Sequence, residues 1–71
     1  GGKEKALKKE SERLRELIKD TQRMYFEKGK LETRIYENMV KSYALRLSEV
    51  EERLAFMDAE KAIKKVGGDL K

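Results

Sequence analysis

Phe26-Glu27-Lys28-Gly29-Lys30-Leu31 reads as the end of one helix and the approach to another. Gly29 is the one glycine between the terminal pairs Gly1-Gly2 and Gly67-Gly68. It follows a periodic apolar segment and has Lys28 just before it. That is the chemistry of a helix C-terminus closed by a left-handed residue at C′. Leu31 can then pack back on the final turn. Tyr25, Phe26 and Tyr36 flank the glycine and close on one another only if the chain reverses. The alternative is a single continuous helix of about 60 residues that tolerates Gly29 inside it, at a cost of ~1 kcal/mol relative to Ala. The second helix has a weak start. Thr33 is the residue nearby with capping chemistry, and Tyr36, not Glu, stands three places on.

Downstream of the turn, Tyr36, Val40, Tyr43, Leu47, Val50, Leu54 and Met57 recur at alternating steps of four and three. This is a heptad seam, and Lys41, Arg46, Glu49, Glu52 and Arg53 occupy the other faces. Upstream, Leu7, Leu14, Leu17, Thr21 and Met24 take a and d positions, interrupted by Glu10 and widened one column by Ile18 and Tyr25. Glu4 with Lys8, Glu37 with Lys41, Glu49 with Arg53 and Glu60 with Lys64 stand at i,i+4 with the acid first, each adding ~0.3 kcal/mol of helicity. The pattern predicts an all-α fold, an antiparallel two-helix hairpin of coiled-coil type that dimerises into a helical bundle. Residues 1–3 are expected to be disordered or a tag remnant, 4–28 the first helix, 29–31 the turn, and 32–66 the second helix. Gly67-Gly68 should end that helix as Gly29 ends the first, leaving 67–71 as a disordered tail.

Around the bend, Leu17, Gly29, Leu31 and Tyr36 reproduce a Leu-rich helix, a Gly, an aliphatic residue two places on and an aromatic in the next helix's first turn. Over residues 14–47 the chain resembles the SHOCT domains, short helical hairpins at the C-termini of many prokaryotic membrane-associated and stress proteins. Where those domains carry a capping Thr this chain has Glu32, with Thr33 one place later. The resemblance implies an oligomerisation or attachment module without enzyme activity.

Composition narrows the function further. Charged residues make up 45% of the chain, which without periodic spacing would read as disorder. Seventy-one residues make at most one small domain, and such a domain needs staples, a metal, idealised helix packing or oligomerisation. The absence of Cys and His leaves helix packing and oligomerisation. It also removes the usual nucleophile and general base: Ser11, Ser42 and Ser48 have no base to activate them. Glu12, Glu16 and Asp20 line one face, but carboxylate metal sites in bundles add a Glu-x-x-His motif that is missing here. No catalytic residue, metal, cofactor or small-molecule substrate is expected. No apolar run approaches a membrane span. The lack of Cys fits a cytoplasmic location, membrane-proximal if the lysines at the helix ends meet a bilayer, and the start at Gly1 suggests a fragment of a larger protein.

Helix lengths of ~37 and ~52 Å do not match, so about ten residues of the second helix are expected to overhang the first. On that overhang Phe56, Ala59, Ile63 and Val66 form one apolar line with Met57 and Ala62 beside it, and Leu54, Phe56, Met57, Ala59, Ile63 and Val66 are the candidate interface, with a second copy or another helix of the parent protein as partner. At ~25 cal/mol per Å² of apolar area, leaving them in water forgoes several kcal/mol. The hairpin also gathers Lys3, Lys5, Lys8, Lys9, Lys61, Lys64 and Lys65 at one tip. These lysines either solvate the helix ends or meet an anionic membrane surface, each worth up to ~1 kcal/mol there. Nucleic acid fits less well, because Glu10, Glu12, Glu16, Glu51 and Glu52 break any one-sided basic stripe.

Overall fold

A computed structural model describes residues 1–69 as two helices, α1 (Gly2–Phe26) and α2 (Thr33–Asp69), packed along each other. The molecule is an elongated hairpin, with extents of 60 × 18 × 15 Å. The expectation of an all-α hairpin holds, and the single continuous helix is excluded.

The turn is built as the sequence suggested, with one displacement. Gly29 has φ 59°, the sole positive φ among the described residues. The helix proper ends at Phe26 with Glu27 as its cap, so Gly29 stands one place beyond C′. The extra residue lets two amides reach back in sequence. Lys28 N–H donates to the Arg23 carbonyl at 3.2 Å, and Lys30 N–H donates to that of Met24 at 2.9 Å. The Met24 carbonyl, left over at the helix end, is thereby satisfied, and that of Arg23, which already accepts from Glu27 N–H at 2.9 Å, takes a second donor. Tyr25 and Tyr36 stack face to face across the turn, with centroids 4.1 Å apart and planes within 7°. Phe26 meets both rings edge-on. Thr33 does not cap α2: its hydroxyl lies 2.7 Å from that of Tyr25, tying the first residue of α2 to the last turn of α1.

The Tyr25–Tyr36 stack sets the register of the whole seam. Stepping away from it by heptad spacing, Thr21 falls opposite Val40, Ile18 opposite Tyr43, Leu14 opposite Leu47, Ser11 opposite Val50, Leu7 opposite Leu54 and Glu4 opposite Met57. All of these side chains are buried or half-buried. Leu14, Thr21 and Val50 are the most enclosed, Val50 being 1% exposed. Thr21 satisfies its hydroxyl by donating to the Leu17 carbonyl one turn back, at 2.7 Å. The seam expected for α2 therefore holds at every position. On α1 it differs: the buried column runs through Ser11, Ile18 and Tyr25, while Leu17 flanks it and Met24 is exposed. Small Ser11 sits where bulky Val50 needs room, and size outweighs polarity there.

Ion pairs flank the seam on both sides. Arg46 grips Glu10 with two nitrogens, at 2.7 and 3.0 Å, and Arg15 donates to Glu51 at 2.9 Å. These are the e–e′ and g–g′ positions of an antiparallel heptad pair, so they confirm the register independently of burial.

Several expected boundaries move. Residues 1–3 are not a loose leader: Gly2 and Lys3 are helical, and Lys5 N–H donates to the Gly1 carbonyl at 3.1 Å. The first helix stops at Phe26, short of Lys28, and the second starts at Thr33 in place of Glu32. Gly67-Gly68 does not end α2, which continues to Asp69. A glycine stops a helix when the reversed chain has something to fold back on. Beyond Gly29 the chain meets an oncoming helix, and the stack of Tyr36 on Tyr25 holds the reversal. The rest of the expected tail, residues 70–71, lies outside the described residues.

Candidate interaction surface

Because α1 begins at Gly2 and the register runs to Glu4 opposite Met57, the two helices overlap further than their sequence suggested. Leu54, assigned to the interface, and Met57, expected beside the overhang's apolar line, are half-buried seam residues against the start of α1. The exposed members of the expected interface are Phe56 at 55%, Ile63 at 70% and Val66 at 57%, together with Ala59. In the seam's heptad these four hold c and f positions, on the side of α2 opposite to α1. The apolar line is thus more than a helix end lacking a neighbour: it is a second face. Ala55 and Ala62, both exposed, run beside it. Ala62, Ile63, Val66 and Gly67 line an open, almost wholly apolar depression. At the other end of the line, the Arg53 guanidinium lies 5.6 Å from the centre of the Phe56 ring, covering part of it without taking it out of water.

All seven lysines of the expected basic tip are exposed and gather where the helix ends meet. They are not all free. Lys61 is bonded to the Glu4 carboxylate, which also takes Lys8 at 3.3 Å. Glu4, 14% exposed, sits on the seam with two cations upon it. Those hydrogen bonds, that of Lys61 foremost, hold its carboxyl below the ordinary value, and the carboxylate raises Lys61 in turn. Lys3, Lys5, Lys9, Lys64 and Lys65 enter no ion pair among the described residues. The Glu4–Lys61 clasp closes the open end of the hairpin. Its sequence signal was Glu4 one heptad before Ser11 and Lys61 one heptad after Leu54, both continuing seam columns.

The acidic strip of Glu12, Glu16 and Asp20 is solvent-exposed, with Arg13 and Arg23 pairing with Glu16 and Asp20 at 3.8 and 3.7 Å. Among the described residues no helix is long and apolar enough to cross a membrane. Comparison with known protein families, curated proteins and solved structures finds no match.

Proposed function

We propose that this chain is a non-catalytic helical-hairpin interaction module, working in the cytoplasm, that associates with another helix through the outer face of α2. The observation that carries the reading is the line Phe56, Ala59, Ile63 and Val66, exposed on the side of α2 that α1 cannot reach. Fewer large side chains are enclosed between the helices than a domain of this size needs for comfortable stability. Covering the outer line at ~25 cal/mol per Å² offers several kcal/mol, against which the cost of association is set. The SHOCT-like turn implies the same class of module. The basic tip is a weaker candidate, since Glu4 engages two of its cations.

Sedimentation equilibrium at high micromolar concentration tests the reading. Apolar association persists at about 0.5 M salt, where contacts between exposed charges are screened. Phe56→Ser, at an exposed position, should leave helicity intact and shift the equilibrium to monomer. A monomeric wild type on which Phe56→Ser has no effect would refute it. Assembly that dissolves in salt, with binding to anionic vesicles, would transfer the function to the lysine tip.

A further inference from the structure

The charge of the chain is confined to one end. Residues 10–56 carry ten basic and ten acidic side chains and are neutral as a body. The net charge of +4 equals that of residues 1–9 and 57–66, where seven lysines stand against Glu4, Asp58 and Glu60. The two kinds of cation are also segregated. All six arginines lie from Arg13 to Arg53, and Arg13, Arg15, Arg23 and Arg46 are held in ion pairs. Every cation of the open end is a lysine, and Lys5, Lys9, Lys64 and Lys65 enter no ion pair among the described residues.

These lysines face one way. Lys61 and Lys64 continue the seam columns of α2 on the side toward α1, as the bond from Lys61 to Glu4 shows, and Lys65 stands beside them. Lys5 and Lys9 lie on the side of α1 away from α2. Both sets point away from the outer line of Phe56, Ala59, Ile63 and Val66. Because α2 runs past the start of α1, they form a step about one interhelix spacing, ~10 Å, high. Independently of the outer line, we infer that this step is a docking surface for an anionic lipid bilayer. A plane laid across it touches the end of α2 and the start of α1, then diverges from the rest of α1. Glu12, Glu16 and Asp20, further along the same side of α1, are thereby lifted off the negative surface. Lysine suits this task, since a hydrated ammonium on a flexible stem answers a diffuse negative potential, whereas the arginine fork matches single phosphates and carboxylates. A nucleic-acid rod would call for cations running along one helix face, and the neutral body offers no such run.

Co-sedimentation with lipid vesicles tests this. The chain should bind phosphatidylcholine vesicles that contain about a third phosphatidylserine, bind pure phosphatidylcholine at least about tenfold more weakly, and be released at about 0.5 M salt. Lys5→Gln with Lys64→Gln, and Lys19→Gln with Lys41→Gln, remove the same charge from exposed positions. At about fivefold per lysine, the open-end pair should weaken partitioning roughly 25-fold, and the body pair less than about twofold. Circular dichroism checks that both variants keep their helices. Equal losses would overturn the docking surface, leaving only the effect of net charge. Binding that ignores phosphatidylserine, or no binding to either vesicle, would overturn it too. A duplex oligonucleotide bound where vesicles are not would assign the lysines to nucleic acid instead. Phe56→Ser, which tests the outer line, should leave vesicle binding unchanged, so the two surfaces stand or fall separately.

Discussion

Replacing Gly29 by alanine isolates the energetics of the reversal. A Cβ built at Gly29 meets no atom within 4 Å, so the substitution adds no clash with the rest of the molecule. What remains is the backbone, held at φ 59°, where an L-residue is disfavoured by about 1–2 kcal/mol. Alanine also restricts the unfolded chain, which returns roughly 0.4–1 kcal/mol. The expected net loss is therefore about 1 kcal/mol, or a fall in Tm of roughly 4–8 °C for a chain of this length. Urea unfolding followed by far-ultraviolet circular dichroism measures it, and an unchanged slope would show that the surface exposed on unfolding is the same. The chain is short enough for chemical synthesis, which supplies the decisive comparison. D-alanine takes the left-handed conformation without penalty and should stabilise the hairpin by about 0.5 kcal/mol or more. Equal destabilisation by both enantiomers would show that the left-handed backbone is not what Gly29 provides. Stabilisation by L-alanine, with lengthening into a rod in solution scattering, would remove the reversal itself.

The seam invites two further tests. Val50→Ala, at 1% exposure, should cost about 2 kcal/mol, whereas Leu45→Ala, at 64% exposure, should stay within about 0.5 kcal/mol in the same urea assay. Glu10→Arg alone should destabilise by opposing Arg46, and the double variant Glu10→Arg with Arg46→Glu should recover most of the loss; no recovery would mean a different register. The pH dependence has two arms. Arg46 and Lys61 hold the Glu10 and Glu4 carboxyls below their ordinary value of 4.5, so the stability these pairs add is present above that value and is lost as pH falls through the lowered ones. Glu4 holds Lys61 above its ordinary 10.5, so that contribution is present below 10.5 and is lost as pH rises through the raised value. Glu4→Gln should remove most of the alkaline arm, Asp58 being a smaller cause of the raised Lys61, and leave the Glu10 part of the acid arm.

The α2 seam was legible because every one of its positions from Tyr36 to Met57 is apolar or aromatic, and alternation of three and four can be read without ambiguity. The α1 seam was not, for a physical reason. Leu7, Leu14 and Thr21 were read on the seam, but Glu4 and Ser11 occupy core-side positions where cation pairing and small size make them acceptable. Hydrophobicity alone therefore favoured Leu17 and Met24 over Ile18 and Tyr25. The overlap was read short for a different reason, the start of α1 being placed at Glu4 in place of Gly2. The outer apolar line was found from sequence, but its direction was not, because facing is defined only once the seam column is known. The end of α2 was missed because a glycine pair carries a stop signal only where a partner completes it.

The stacked tyrosines at the bend give the molecule a built-in optical gauge. The chain has three tyrosines and no tryptophan, and two of the tyrosines lie ring on ring across the reversal. Their near-ultraviolet signal depends on the chain being folded back, while far-ultraviolet dichroism depends on helix content wherever it occurs. Straightening of the hairpin would silence the first and spare the second; fraying of the α2 end would do the opposite. Opening at the bend and melting at the tip can thus be followed separately in the unlabelled protein.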